Sequence, residues 1–156
     1  MIFHIITLFP EMFKGVFSQS ILARAKKNNH IKINFINPRS FALDKYKSVD
    51  DRPYGGGAGM IMKADVVVSA LESINPKPYS ILLSASGKKY SQKTASKLSK
   101  KNSIAIICGR YEGYDERITS IVDRHVSVGD YVLTGGELPA MTIVDSITRL
   151  IPGVLG

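Results

Sequence analysis

SVGDYVLTGGELPAM, residues 127–141, and GRYEGYDER, residues 109–117, together hold five glycines, three tyrosines and five carboxylates in 24 residues. Helices and strands tolerate that composition poorly, because interior glycine costs backbone entropy and clustered carboxylates repel. Sharp turns with bare backbone amides fit it, and a ligand can approach a chain that lacks Cβ atoms. The flanking residues decide the fold. SIAIIC, residues 103–108, and RHVSV, residues 124–128, are strand-like runs leading into the two loops, and a helix-like run leaves each of them. Such loops lie at the carboxyl ends of strands, where open α/β sheets bind ligands.

The rest of the chain repeats the alternation. The apolar run MIFHIITLF, residues 1–9, lacks a basic n-region and meets Pro10, so it reads as a buried first strand rather than a secretion signal. Pro10 and Glu11 suit the opening turn of a short helix. Ile21, Leu22 and Ala25 share a face of a helix over 18–28. IKINFI, residues 31–36, alternates Ile31, Ile33 and Phe35 with Lys32 and Asn34 as a half-exposed strand. A helix is predicted over 64–72, a buried strand over 79–85 with Gly87 opening the next loop, and a helix capped by Ser91 through 101. DERITSIV, residues 115–122, makes one or two helical turns. Over 137–150, Leu138, Met141, Val144, Ile147 and Ile151 recur at three- and four-residue steps, the pattern of an amphipathic helix. Ile143 and Met141 cannot share one narrow stripe with Val144 and Ile147, an excess of apolar surface that predicts a partner interface and a two-fold dimer. The expectation is one α/β domain with a mainly parallel sheet flanked by helices.

Composition narrows the function. The chain has 156 residues and one cysteine, Cys108, which excludes an internal disulfide and sits in an apolar run. His4, His30 and His125 have no metal-ligand spacing, so no metal is expected. No apolar run reaches membrane-spanning length, and a cytoplasmic location is expected. Residues 1–100 carry 16 Lys/Arg against 6 Asp/Glu, whereas residues 101–156 carry 5 against 7. A polyanion would therefore be drawn to the first two-thirds of the chain, where seven lysines and no acid lie between Lys77 and Lys101. Residues 37–60 form a long irregular stretch ending in VDDRPYGGGAGM. It lacks the Gly-Lys-Ser/Thr that closes a P-loop, which excludes that class of nucleotide hydrolase. Asp50, Arg52 and Tyr54 offer directional contacts, and the backbone from Gly55 to Gly59 can lie against a flat base or a ribose.

LFPEMF at 8–13, DDRPYGGGAGM at 50–60, GRYEGYDER at 109–117 and VGDYVLTGGELPAM running on to RLIPGVLG resemble bacterial tRNA (guanine-37-N1)-methyltransferases, members of the SPOUT class of S-adenosylmethionine-dependent enzymes. The resemblance covers essentially the whole chain and implies one SPOUT domain over 1–156, a deep trefoil knot at the cofactor site, a homodimer and tRNA as substrate. It places S-adenosylmethionine among three loops: Leu83, Ser84 and Gly87; Gly109, Tyr111, Glu112 and Gly113; and Val128, Gly129, Asp130, Tyr131, Val132, Leu133, Gly135, Gly136 and Pro139. Bare amides would read the adenine edge, Leu133 would cover its face, and Glu112 and Asp130 would favour the sulfonium. Asp50, Arg52, Tyr54, Gly55 and Gly59 are implied for substrate binding.

The implied acceptor is guanine N1, which carries a proton at neutral pH. A base must remove it while a cation stabilises charge moving to O6. Arg149 matches the family's catalytic arginine, and Glu112 is the carboxylate candidate within the loops. The family's own base, an aspartate in a linker, and its tRNA-gripping helical domain belong beyond Gly156, so slow turnover is expected of these residues alone. Ala85 and Tyr114 depart from the usual proline and aliphatic residue. Two other classes fit part of the pattern: a non-catalytic tRNA-binding module, and another SPOUT RNA methyltransferase, the latter disfavoured by the 50–60 stretch.

Overall fold

The computed structural model describes residues 1–110 and 112–156. Five strands form the main sheet: β1 (Ile2–Ile6), β2 (Lys32–Ile36), β5 (Tyr79–Lys89), β6 (Ser103–Ile107) and β7 (Arg124–Ser127). Their order is β2-β1-β6-β5-β7, and every pairing is parallel. A separate antiparallel pair joins β3 (Asp50–Asp51) to β4 (Ile61–Met62). The helices are α1 (Lys14–Phe17), α2 (Ser20–Lys27), α3 (Ala64–Glu72), α4 (Gln92–Leu98), α5 (Glu116–Thr119) and α6 (Glu137–Thr148), with single 3-10 turns at Pro10–Phe13 and Pro38–Phe41. Among the described residues, no helix is long and apolar enough to cross a membrane.

Strand periodicity explains why the central runs are apolar throughout. Phe3, Ile5, Ile81, Leu83, Ile104, Ile106 and Cys108 face one layer, built with Phe13, Phe17 and residues of α2, α4 and α6. Their neighbours Ile6, Leu82, Ala105 and Ile107 face the other, against α3 and Ile118 of α5. Both faces are covered, so alternation disappears from the sequence, as parallel sheets require. Each large aliphatic side chain buried here contributes about 1.5–3 kcal/mol of transfer free energy.

Three local expectations change. Phe35 lies on the edge strand 42% exposed, with its ring against Phe13 and Phe17. Ile143 and Met141 do not form an external apolar surface. Both are buried in the single chain, because α6 contacts α2 and α4 while also covering the sheet. The helix is apolar on several sides for that reason, and the argument from it to a partner fails. Leu138, expected in the stripe, is instead exposed beside the first turn of α6.

Candidate functional site

A loop within β5 and the loops after β6 and β7 lie at the same edge of the sheet and enclose a cleft of about 340 Å³. That volume is within the range of small-molecule sites. The first loop is not a strand end. Val126 pairs with both Leu83 and Lys88, so residues 84–87 bulge out of β5 and the strand then resumes. Leu83, Ser84, Ala85 and Ser86 line the cleft from this bulge. Gly109, Arg110, Glu112, Gly113 and Tyr114 line it from the second loop, and Val128, Gly129, Tyr131, Val132, Leu133, Thr134, Gly135, Gly136 and Pro139 from the third. Gly87 and Asp130 do not. Gly87 packs on the β7 backbone, and Asp130 is exposed and pairs with Lys89 at 2.7 Å. Tyr111 lies outside the described residues.

The glycines serve packing within the protein more than close approach by a ligand. A Cβ at Gly136 would stand 2.8 Å from Cys108 Cα and 2.9 Å from Gly109 N, and the Gly136 amide donates to Gly109 O at 2.8 Å. The second and third loops therefore touch backbone to backbone. At Gly109 the Tyr114 hydroxyl occupies the side-chain space, and at Gly59 the Glu112 side chain does so. Tyr114, a residue that the sequence marked only as a departure, donates its hydroxyl to Leu83 O at 2.9 Å. It thereby ties the start of the bulge to the second loop. Burial holds its phenol well above the usual range, so it stays a donor, and burial likewise pushes the Cys108 thiol up.

The implied substrate residues form a second, adjoining group. Glu112 N donates to Met60 O and Met62 N to Gly113 O, which stitches the 50–62 segment to the second loop. A hollow of about 330 Å³ lies there, with Arg52, Tyr54, Lys63 and Arg117 among its walls. The Arg117 guanidinium lies over the Tyr54 ring and forms a forked pair with Asp115. Its hydrogen bonds hold the Asp115 carboxyl below the usual carboxylate range. Gly59 abuts the first cleft through Glu112, Gly55 is exposed, and Asp50 is held in β3 opposite Met62.

Arg149 is placed elsewhere. It is exposed at the carboxyl end of α6, whereas Gly136 and the cleft lie at the amino end. Twelve residues of helix separate them, about 18 Å at 1.5 Å per residue. It does not reach the cleft of its own chain.

A parallel sheet with a bulge and two strand-end loops packed around a small-molecule cleft, and a polar hollow stitched to its rim, defines an α/β ligand-binding domain. The chain belongs to the tRNA (Guanine-1)-methyltransferase TrmD family, which it matches over residues 1–156. It is 55% identical over 153 residues to the tRNA (guanine-N(1)-)-methyltransferase of Dictyoglomus turgidum, covering 97% of this chain and 62% of the relative. It is 53% identical over 154 residues to that of Staphylococcus aureus, covering 97% and 63%. The crystal structure of tRNA (m1G37) methyltransferase from Aquifex aeolicus superimposes with a TM-score of 0.93 at 38% identity, over 100% of this chain and 72% of that one. The chain thus spans about three-fifths of the length of the curated relatives.

Proposed function

We propose that this chain binds S-adenosylmethionine in the three-loop cleft and serves methyl transfer to N1 of guanine 37 in tRNA, in the cytoplasm. The observation that carries the reading is the meeting of the three loops around one cleft whose sole lining carboxylate, among the described residues, is Glu112. The residues fit the ligand. Leu133 and Val132 offer apolar cover for a base, the backbone of 133–135 offers amides and carbonyls for its edge, and Glu112 offers negative charge for a cationic centre. When bound, the cofactor supplies an electrophilic methyl group.

The chain's own residues then have separable tasks. Arg52, Tyr54 and Lys63, which wall the adjoining hollow, would receive an RNA base and its phosphate. Arg149, about 18 Å along α6 from its own cleft, would stabilise guanine O6 in the cleft of a second copy. That distance, together with exposed Phe9, Met12, Val16 and Leu138, supports a homodimer better than α6 periodicity does. The trefoil knot implied by the resemblance is also a proposal, supported by the passage of Gly136 against the backbone of Cys108 and Gly109.

Calorimetry of residues 1–156 with S-adenosylmethionine tests the reading. Saturable binding at one site per chain is expected, and no binding at millimolar cofactor would sink it. Methyl transfer to tRNA by these residues should be slow at pH 7 and rise towards pH 9, because a positioned base contributes about 10²–10⁴-fold and the family's linker aspartate is not among them. Equal rates at pH 7 for residues 1–156 and a form extended through the linker and helical domain would move the base to Glu112.

A further inference from the structure

The cleft rests on a buried ion pair that none of its chemistry uses. Glu137, the first residue of α6, is 1% exposed. Its Oε1 accepts from Thr7 Oγ1 at 2.9 Å, and that hydroxyl accepts from Phe9 N at 3.0 Å. Its Oε2 has no hydrogen-bond partner among the described residues but lies 3.1 Å from Arg110 Nε, whose N–H is not aligned on it. The contact is therefore one of charge rather than of hydrogen bonding. Arg110 has three further contacts. Its guanidinium lies 4.5 Å over the Phe9 ring, Nη2 donates to Met12 Sδ at 3.1 Å, and Nη1 donates to Thr134 O at 3.4 Å.

The pair explains Gly135. A Cβ there would stand 2.5 Å from both Arg110 Nε and Glu137 Oε2, so the missing side chain makes room for the ions. Arg110 belongs to the second loop, and Gly135 and Glu137 to the end of the third. The two charges thus bracket the place where those loops meet through Gly136 N and Gly109 O. We infer that Arg110 and Glu137 are positioning residues that set the separation of the second and third loops, and through it the affinity for the cofactor. This rests on the proposed reading of the cleft. The electrostatics give it a signature. Removing one partner leaves a charge buried and uncompensated, whereas removing both leaves none. A carboxylate serving only the α6 dipole would change stability and leave the cleft as it is.

The experiment compares the parent with Glu137→Gln, Arg110→Gln and the double variant, by calorimetry with S-adenosylmethionine and by amide exchange. Each single variant should weaken binding on the order of tenfold, and the double variant should recover to within about threefold of the parent. Exchange at the Gly136 amide should quicken in the single variants and recover in the double, while the Ile106 amide in β6 stays protected. Should one single variant fail to fold, the other single variant is compared with the double variant, and the same recovery in the double is expected. Unchanged affinity and unchanged Gly136 exchange in the single variants would overturn the inference, as would a double variant as weak as either. A parent that binds no cofactor would refute the reading of the cleft instead, and Gly136 exchange would still decide whether the pair positions the loops.

Discussion

Replacing Gly136 by alanine tests the backbone contact on which the cleft depends. The residue has φ −82° and ψ 0°, which alanine adopts freely, so the cost is steric alone. The new Cβ would meet Cys108 Cα at 2.8 Å, Gly109 N at 2.9 Å and Cys108 C at 3.2 Å. Comfortable separations are about 3.5–4.0 Å, so something must move by roughly 0.7 Å. The Cys108 side cannot yield easily. It continues β6, which is paired to β1 and β5, and Cys108 N donates to Ile6 O at 2.9 Å. The third loop moves instead, stretching the bond from Gly136 N to Gly109 O and tilting the start of α6. Overpacking of this kind costs about 1–3 kcal/mol, or roughly 2–12 °C in Tm for a domain of this size. Cofactor affinity should fall about 10- to 100-fold, since each 1.4 kcal/mol is a factor of ten. Calorimetry with S-adenosylmethionine and a thermal melt read the two effects. Gly15→Ala is the control: among the described residues no atom lies within 4 Å of its Cβ, and it should be neutral or slightly stabilising. A Gly136→Ala protein with the parent's affinity and Tm would refute the reasoning.

Two further outcomes follow from the second loop. Tyr114→Phe strands the Leu83 carbonyl at the start of the bulge and should cost about 1–3 kcal/mol in a urea melt; a loss below a few tenths would show that the latch is dispensable. Because Arg117 lowers the folded pKa of Asp115, the stabilisation is whole above the ordinary carboxylate value, about pH 4, and is lost as pH falls through the lower folded value. The stability gap between the parent and Asp115→Asn should therefore be level from pH 5 to 7 and close below about pH 4, and a gap that persists unchanged to pH 2 would contradict the ion pair.

The central strands were legible as unbroken apolar runs and the helices where burial leaves a period. The runs around Ile81 and Ile106 are apolar because both sheet faces are covered, and the helix over Ala64–Glu72 begins and ends where the sequence places it. The cleft's membership was legible too, since most residues of the two glycine stretches line it. The reasons for the glycines were not. Gly87, Gly135 and Gly136 answer to atoms distant in sequence, which no local pattern encodes. The bulge at 84–87 was hidden for a similar reason, because it is defined by Val126 pairing twice with one strand. Ile143 misled because a helix lodged between two others has more than one inner side, a fact of packing rather than of period. No sequence pattern singled out Arg110 or Glu137, and only burial distinguishes them.

The strand order also sets a schedule. β1 is made before the other strands of the sheet, yet one of its two edges is completed only by β6, where Ile2 pairs with Ser103. At about 5–20 residues per second, that edge stays open for roughly 5–20 s. During that interval Phe3, Ile5 and Ile6, buried in the finished sheet, border a row of unpaired amides, the usual template for pairing with another chain. The nascent protein is thus most exposed to aggregation before residue 103 is made, and chaperone dependence should track the rate of translation up to that point.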